Sequence, residues 1–215
     1  MSFANQLIEL TDINCREIES TPTIRKLLSG DVSEKHYVSF MTDIYPIVLH
    51  FCPIMAAAAG RCAQRDDAVR LYLYDHIHEE KGHEKIVLQD IASFDYPPEQ
   101  VIEKTPRGSI QAMIAFNYYS ALMSNPCSVL GMIYVLEIIS SVYAGKAADA
   151  ISNTFGRKLS DGFVFLQSHA SADMDHMTKL RNLLQSIDSP ETISDLMNSV
   201  KMNFYLFYQI FTSEK

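Results

Sequence analysis

The chain has 215 residues, 47% of them hydrophobic and 20% charged, which is enough to bury a sizeable core and too apolar for disorder along most of its length. A formal net charge of -8 with no basic stripe repels phosphate backbones and argues against nucleic-acid binding. The cysteines, Cys15, Cys52, Cys62 and Cys127, lack CxxC spacing and read as reduced thiols of a cytoplasmic protein.

Nearly every segment carries helical periodicity. Ser2 to Glu19 reads as an amphipathic helix without a basic signal-peptide start, broken at Ser20-Thr21-Pro22, where Thr21 can cap a short helix running to Leu28. Ser29-Gly30-Asp31 is a turn, and Ser33 opens a long helix from Glu34 to Cys62. Its Ile44 to Gly60 stretch is the most apolar in the chain, but His50, Pro46 and Pro53 make it a buried, bent core helix rather than a membrane crossing. Asp66 to Phe94 reads as one long helix, Pro97-Pro98-Glu99 opens a short one, and Thr105-Pro106-Arg107-Gly108 closes it. Gly108 to Ser124, Ser128 to Thr154 and Lys158 to Ser186 follow, and a helix opened by Ser189-Pro190-Glu191 runs to about Ser213. The expectation is an all-α, up-and-down bundle of about seven helices, one domain over residues 1–215, with no internal repeat.

Of the seven histidines, five fall in two helical clusters. His169-Ala170-Ser171-Ala172-Asp173-Met174-Asp175-His176 spells HxxxDxxH, whose steps of four and three put His169, Asp173 and His176 on one face. Two imidazoles and a carboxylate suit divalent iron, and manganese or zinc as well. The plainer reading is a solvated polar face, which Asp175 fits. Upstream, His76-Ile77-His78-Glu79-Glu80-Lys81-Gly82-His83 contains Glu80 three residues before His83, the Glu-x-x-His pair of carboxylate-bridged di-metal bundles. His76 shares that face two turns earlier, Glu79 is an alternative carboxylate, and His78 is expected at the surface. The plainer reading here is a charged, exposed segment with weak ion pairs. Glu137 stands in the apolar run Val129 to Ile139, with no basic residue from Ser128 to Gly145 to neutralise it. A carboxylate there is costly unless it is paired, protonated or bound to metal, so a bridging role between two metals follows naturally.

With these residues in place the sequence resembles the haem-oxygenase-like di-iron oxidases and oxygenases, which share a bundle with the thiaminase-II (TENA/THI-4) and pyrroloquinoline-quinone-synthase (PqqC-like) families. The resemblance covers most of the chain. HxxxDxxH matches the family's late metal motif, Glu137 its isolated glutamate, and Glu80 with His83 its earlier pair. The wide spacings are similar to those of the subgroup that makes p-aminobenzoate, with one departure: the glutamate two turns before the histidine is here His76. Either Glu79 or Glu80 takes that role, as in the fatty-acid-decarboxylating members, or His76 ligates metal itself.

The resemblance implies an enzyme with two ferrous ions, or Mn2+, that uses dioxygen as co-substrate to oxidise a small molecule or a tyrosine of its own. The implied metal ligands are Glu80, His83, Glu137, His169, Asp173 and His176. Tyr45 is the candidate catalytic tyrosine, with Tyr37 beside it as a second. Tyr45, His50, Tyr134 and Phe116 are candidates to line the pocket. The expected partners are a small-molecule substrate, or none beyond dioxygen, with a homodimer as the oligomer common for such bundles and with no nucleic acid and no membrane. Two other readings stand beside this one. One is a metal-free hydrolase of thiaminase-II type, using Cys127 at a helix start with Glu137. The other is a non-enzymatic binding protein on the same bundle.

Overall fold

The computed structural model describes residues 3–212 and, for residues 170–175, the backbone only. It is an all-α bundle. The described helices are α1 Phe3–Ser20, α2 Pro22–Ser29, α3 Glu34–Ala59, α4 Asp67–Glu80, α5 His83–Ala92, α6 Pro98–Ile102, α7 Gly108–Met123, α8 Leu130–Ile139, α9 Gly145–Phe155, α10 Val164–Gln185 and α11 Pro190–Thr212. The early punctuation acts as the sequence suggests. Thr21 accepts from the Ile24 N–H, Ser33 accepts from the His36 N–H, and Pro22 occupies the first turn of α2.

α3 is the spine, packed on α4, α5 and α7. α11 packs on α7 and α8, and α10 lies across α5, α8 and α9. α8 and α11 approach closely at Gly131, where a Cβ would stand 2.6 Å from Ser199 Oγ, so no larger residue fits without moving α11. Among the described residues two helices are long and apolar enough to cross a membrane, Glu34–Ala59 and Pro126–Phe155, but 50% and 78% of their apolar windows are buried against the other helices, as in core helices.

The structure divides two of the expected long helices. The 66–94 segment is interrupted at Lys81-Gly82, where Gly82 adopts φ 94°, so Glu80 ends α4 and His83 starts α5. The 128–154 segment widens into a single π turn over Ser140–Ala144, directly after Glu137. The helix expected from Lys158 begins instead at Val164, because its cap comes from far away. The buried Asp90 of α5 accepts from the N–H of Val164 at 3.1 Å and of Phe165 at 2.7 Å. Burial pushes the Asp90 carboxyl up, and these two N–H groups oppose that.

Asp90→Ala should therefore strand two N–H groups at the start of the helix that carries His169. The expected cost is about 2 kcal/mol, a fall in Tm of roughly 4–8 °C by thermal scanning.

Candidate metal centre

The helix ends and the widened turn gather imidazoles and carboxylates into one buried volume. Glu80, the last residue of α4, is 4% exposed, and Glu137, on α8, is 3% exposed. Among the described residues two groups of side chains place their ligand atoms within 4.8 Å of one another: His76, Glu80, Glu137 and His176, and Glu80, His83 and His169. Glu80 belongs to both.

In the first group His76 Nε2 lies 3.2 Å from Glu137 Oε1, and His176 Nδ1 lies 3.4 Å from Glu137 Oε2 and 3.9 Å from Glu80 Oε1. The two rings meet edge to face, 5.0 Å between centroids. In the second group His83 Nδ1 lies 2.7 Å and His169 Nε2 3.6 Å from Glu80 Oε2, with the rings 4.9 Å apart.

Short as these separations are, His76 Nε2, His83 Nδ1, His176 Nδ1, Glu80 Oε1 and Glu137 Oε2 are buried and make no hydrogen bond. Buried polar atoms are nearly always satisfied, so five convergent exceptions fit a cation better than one another. Imidazole nitrogens and carboxylate oxygens are the donor set of divalent iron or manganese.

The outward nitrogens of His169 and His176 have partners. His169 Nδ1 donates to the Phe165 carbonyl oxygen at 2.8 Å, which leaves Nε2 as the inward lone pair. His176 Nε2 lies 3.2 Å and His76 Nδ1 3.7 Å from Glu79 Oε2, and Lys179 Nζ donates to Glu79 Oε1 at 2.7 Å. Glu79 thus stands outside the cluster and orients His176, with His76 Nδ1 close by. Glu79→Gln should weaken metal binding by about 10–100-fold with unchanged helicity, measured by chelator competition and circular dichroism.

The electrostatics hold the inner carboxylates ionised. Burial alone would push Glu80 up, but the imidazoles of His169 and His83 outweigh it and keep the carboxyl well below the usual range. Glu137 is likewise opposed by burial yet brought down to about 2 by His176 and His76. His176 is raised, chiefly by Glu137 and against its own burial. Burial first, then Glu137, Glu79 and Glu80, drives the Tyr72 hydroxyl far up; its ring stacks on His76 at 5.4 Å. Tyr72 was not singled out in the sequence; its place four residues before His76, on the same face of α4, is the signal that marks it.

Of the residues expected from the sequence, the structure brings Glu80, His83, Glu137, His169 and His176 together with His76, the alternative ligand, while the Asp173 side chain lies outside the described residues. His78 is exposed, as expected. An apolar chamber of about 130 Å3 opens beside Glu80, Glu137 and His169. None of the expected lining residues Tyr45, His50, Tyr134 and Phe116 surrounds it. Tyr45 is buried in α3, its hydroxyl raised by burial and by Glu84 of α5. His50 is 3.1 Å from the Tyr118 hydroxyl, Tyr134 shares a hydrogen bond with Thr11, and Tyr37 donates to the Gly162 carbonyl. Helical periodicity shows which face turns inward but not which neighbour it meets. The walls come from α2, α3, α8, the π turn, α9, α10 and α11, including Leu28, Phe40, Val48, Tyr143 and Phe207.

A family model described as an iron-containing redox enzyme matches residues 38–208. No curated protein matches the chain. Among solved structures, a domain of unknown function with a heme oxygenase-like fold from Shewanella denitrificans OS217 superposes with a TM-score of 0.87 at 22% identity, covering 98% of this chain and 90% of that one. A TenA homologue from Pseudomonas syringae pv. tomato DC3000 gives 0.82 at 14% identity, covering 98% and 91%. A TenA homologue from P. horikoshii OT3 gives 0.76 at 12% identity, covering 98% and 99%. At these identities the structures establish the haem-oxygenase-like fold.

Proposed function

Since the chain belongs to the family of iron-containing redox enzymes, we propose that it is a non-haem oxidoreductase that holds two iron ions and uses dioxygen to oxidise a small molecule. One ion would sit among His76, Glu80, Glu137 and His176, the other among Glu80, His83 and His169. Glu80 would then be common to both sets and Glu137 would belong to one. The observation that carries this reading is the convergence of five buried nitrogen and oxygen atoms with no hydrogen-bond partner.

When bound, the iron supplies the electrons and open positions that dioxygen activation needs. The chain supplies the rest. Glu80 and Glu137 stay ionised at neutral pH and offer charge without first losing a proton. Phe165 holds the His169 proton on Nδ1. The apolar walls keep water from the substrate side. Manganese fits the same donors. A cysteine-based hydrolase is less well supported, because no cysteine lines the chamber. Cys127 is also pushed far up, by Cys62 first and then by burial. A cytoplasmic location, and a homodimer, belong to the same proposal.

Anaerobic Fe2+ titration with metal quantification, followed by oxygen exposure, tests the reading. Two irons per chain and a transient visible absorption are expected in the native protein. One iron and no absorption are expected in His169→Ala. A native protein that takes up no iron and shows no oxygen-dependent change overturns it.

A further inference from the structure

Two of the cysteines meet away from the metal centre. Cys62 follows the end of α3, and Cys127 sits in the 3-10 turn Pro126–Val129 that leads into α8. α3 packs on that turn. The backbone beside each cysteine is anchored. Arg61 reaches across to donate to the Ala121 carbonyl at 2.7 Å and the Ser124 carbonyl at 2.9 Å. The Asn125 side chain accepts from the Cys127 N–H at 3.1 Å and donates to Thr192 of α11 at 3.2 Å. Between these anchors the hydrogen-bond partners of the Cys127 thiol are the sulfur of Cys62 and the carboxylate of Asp66.

Both cysteines are free thiols, Cys62 half-buried and Cys127 buried. The two ligand groups of the metal centre contain no cysteine. A cysteine that only fills core space needs no thiol partner. The pair is also asymmetric. The Cys127 thiol, and after it Arg70 and Arg61, bring Cys62 below the usual thiol range against burial and Asp66. Cys127 is driven up, so it keeps its proton. A more accessible sulfur with thiolate character beside a protonated neighbour is the arrangement of an attacking and a resolving thiol.

From this contact between a half-buried and a buried thiol at two anchored turns, we propose that Cys62 and Cys127 are a site of oxidation by hydrogen peroxide, closing to a disulfide that ties the end of α3 to the segment entering α8. The Cys62 thiolate attacks one peroxide oxygen. The S–O bond forms, the O–O bond breaks, and the hydroxide that leaves takes up the proton Cys62 had released. The Cys127 sulfur then attacks the sulfenic sulfur of Cys62. The S–S bond forms, the S–O bond breaks, and Asp66 passes the Cys127 proton to the departing hydroxide. The two thiols lose two electrons, and the peroxide is reduced to two waters. α3 and α8 both wall the apolar chamber, so the link fixes two of its sides. Iron takes no part in these steps.

The test treats full-length, chelator-treated protein with about a fivefold excess of hydrogen peroxide. Thiols counted after unfolding should fall from four to two, and dithiothreitol should restore them. Intact mass should drop by two hydrogens in a single chain, and non-reducing peptide mapping should join Cys62 to Cys127. The oxidised form should melt roughly 5–10 °C higher. In Cys127→Ser the Cys62 sulfenic acid should persist and be trapped by dimedone. In Cys62→Ser thiol loss should slow at least about tenfold. A link to Cys15 or Cys52, a link between chains, or a native protein that still holds four thiols overturns the proposal, whatever the iron content. Equal dimedone trapping on Cys62 in the native protein and in Cys127→Ser would overturn it as well, since Cys127 would then not resolve the sulfenic acid.

Discussion

Glu80→Gln is expected to empty both metal positions, whereas His83→Ala should empty only one. Glu80 is the one residue common to the two ligand groups, and its two oxygens face different partners: Oε2 lies 2.7 Å from His83 and 3.6 Å from His169, Oε1 lies 3.9 Å from His176. Glutamine keeps the shape but gives up the charge that the two proposed cations would share. The loss of affinity should exceed the roughly 10–100-fold expected for an outer partner such as Glu79. Iron per chain, measured after anaerobic loading and desalting, should approach zero in Glu80→Gln and fall by half in His83→Ala. Equal retention of iron in the two variants would show that Glu80 is not shared.

Iron loading should raise the Tm by about 10 °C near pH 8 and by much less near pH 5.5. A ligand present at a thousandfold excess over its Kd stabilises by about 4 kcal/mol, and each kcal/mol moves the Tm of a chain this size by roughly 2–4 °C. The pH dependence follows from His176, raised above its ordinary 6.5 by Glu137 in the metal-free fold. Its proton must leave before Nδ1 can bind a cation, so metal affinity climbs with pH until the raised value is passed.

The metal-free fold behaves in the opposite sense. The His176–Glu137 contact contributes fully below pH 6.5 and is lost as pH rises through the raised histidine value. The lowered carboxylates of Glu80 and Glu137 contribute fully above the ordinary 4.5 and lose that contribution as pH falls toward their depressed values. The metal-free protein should therefore be most stable between about pH 5 and 6.5, and scanning calorimetry of chelated and loaded samples across pH 4.5–8.5 separates the two curves. A Tm gain independent of pH would mean that His176 is not a ligand.

The bundle was legible because helix-period patterns and capping residues such as Thr21 and Ser33 act locally. Glu137 stood out because a carboxylate in an unbroken apolar run has no local explanation, and the structure buries it beside two imidazoles. Spacing alone left Glu79, Glu80 and His76 open. They separate only when α10 packs on α5 and α8, placing Glu79 at the outer nitrogen of His176 and Glu80 and His76 inside. Two breaks were invisible for the same reason. Gly82 lies in a charged stretch where a tolerated helix glycine reads the same as an interruption, and the start of α10 depends on Asp90, 74 residues away from Val164.

The π turn at Ser140–Ala144 gives its helix one spare position. Such a turn closes its hydrogen bonds one residue later than an α turn, so excising a single residue between Ser140 and Val142 should restore a regular helix without disturbing the facing of Glu137 before it or Ala147 after it. The same excision at Ile133 would swing Glu137 by about 100° relative to everything upstream. Length variation in this segment thus has one address that the carboxylate–imidazole cluster can tolerate, and a shortened chain would keep those side chains in place while the chamber beside Tyr143 and Ala144 narrowed.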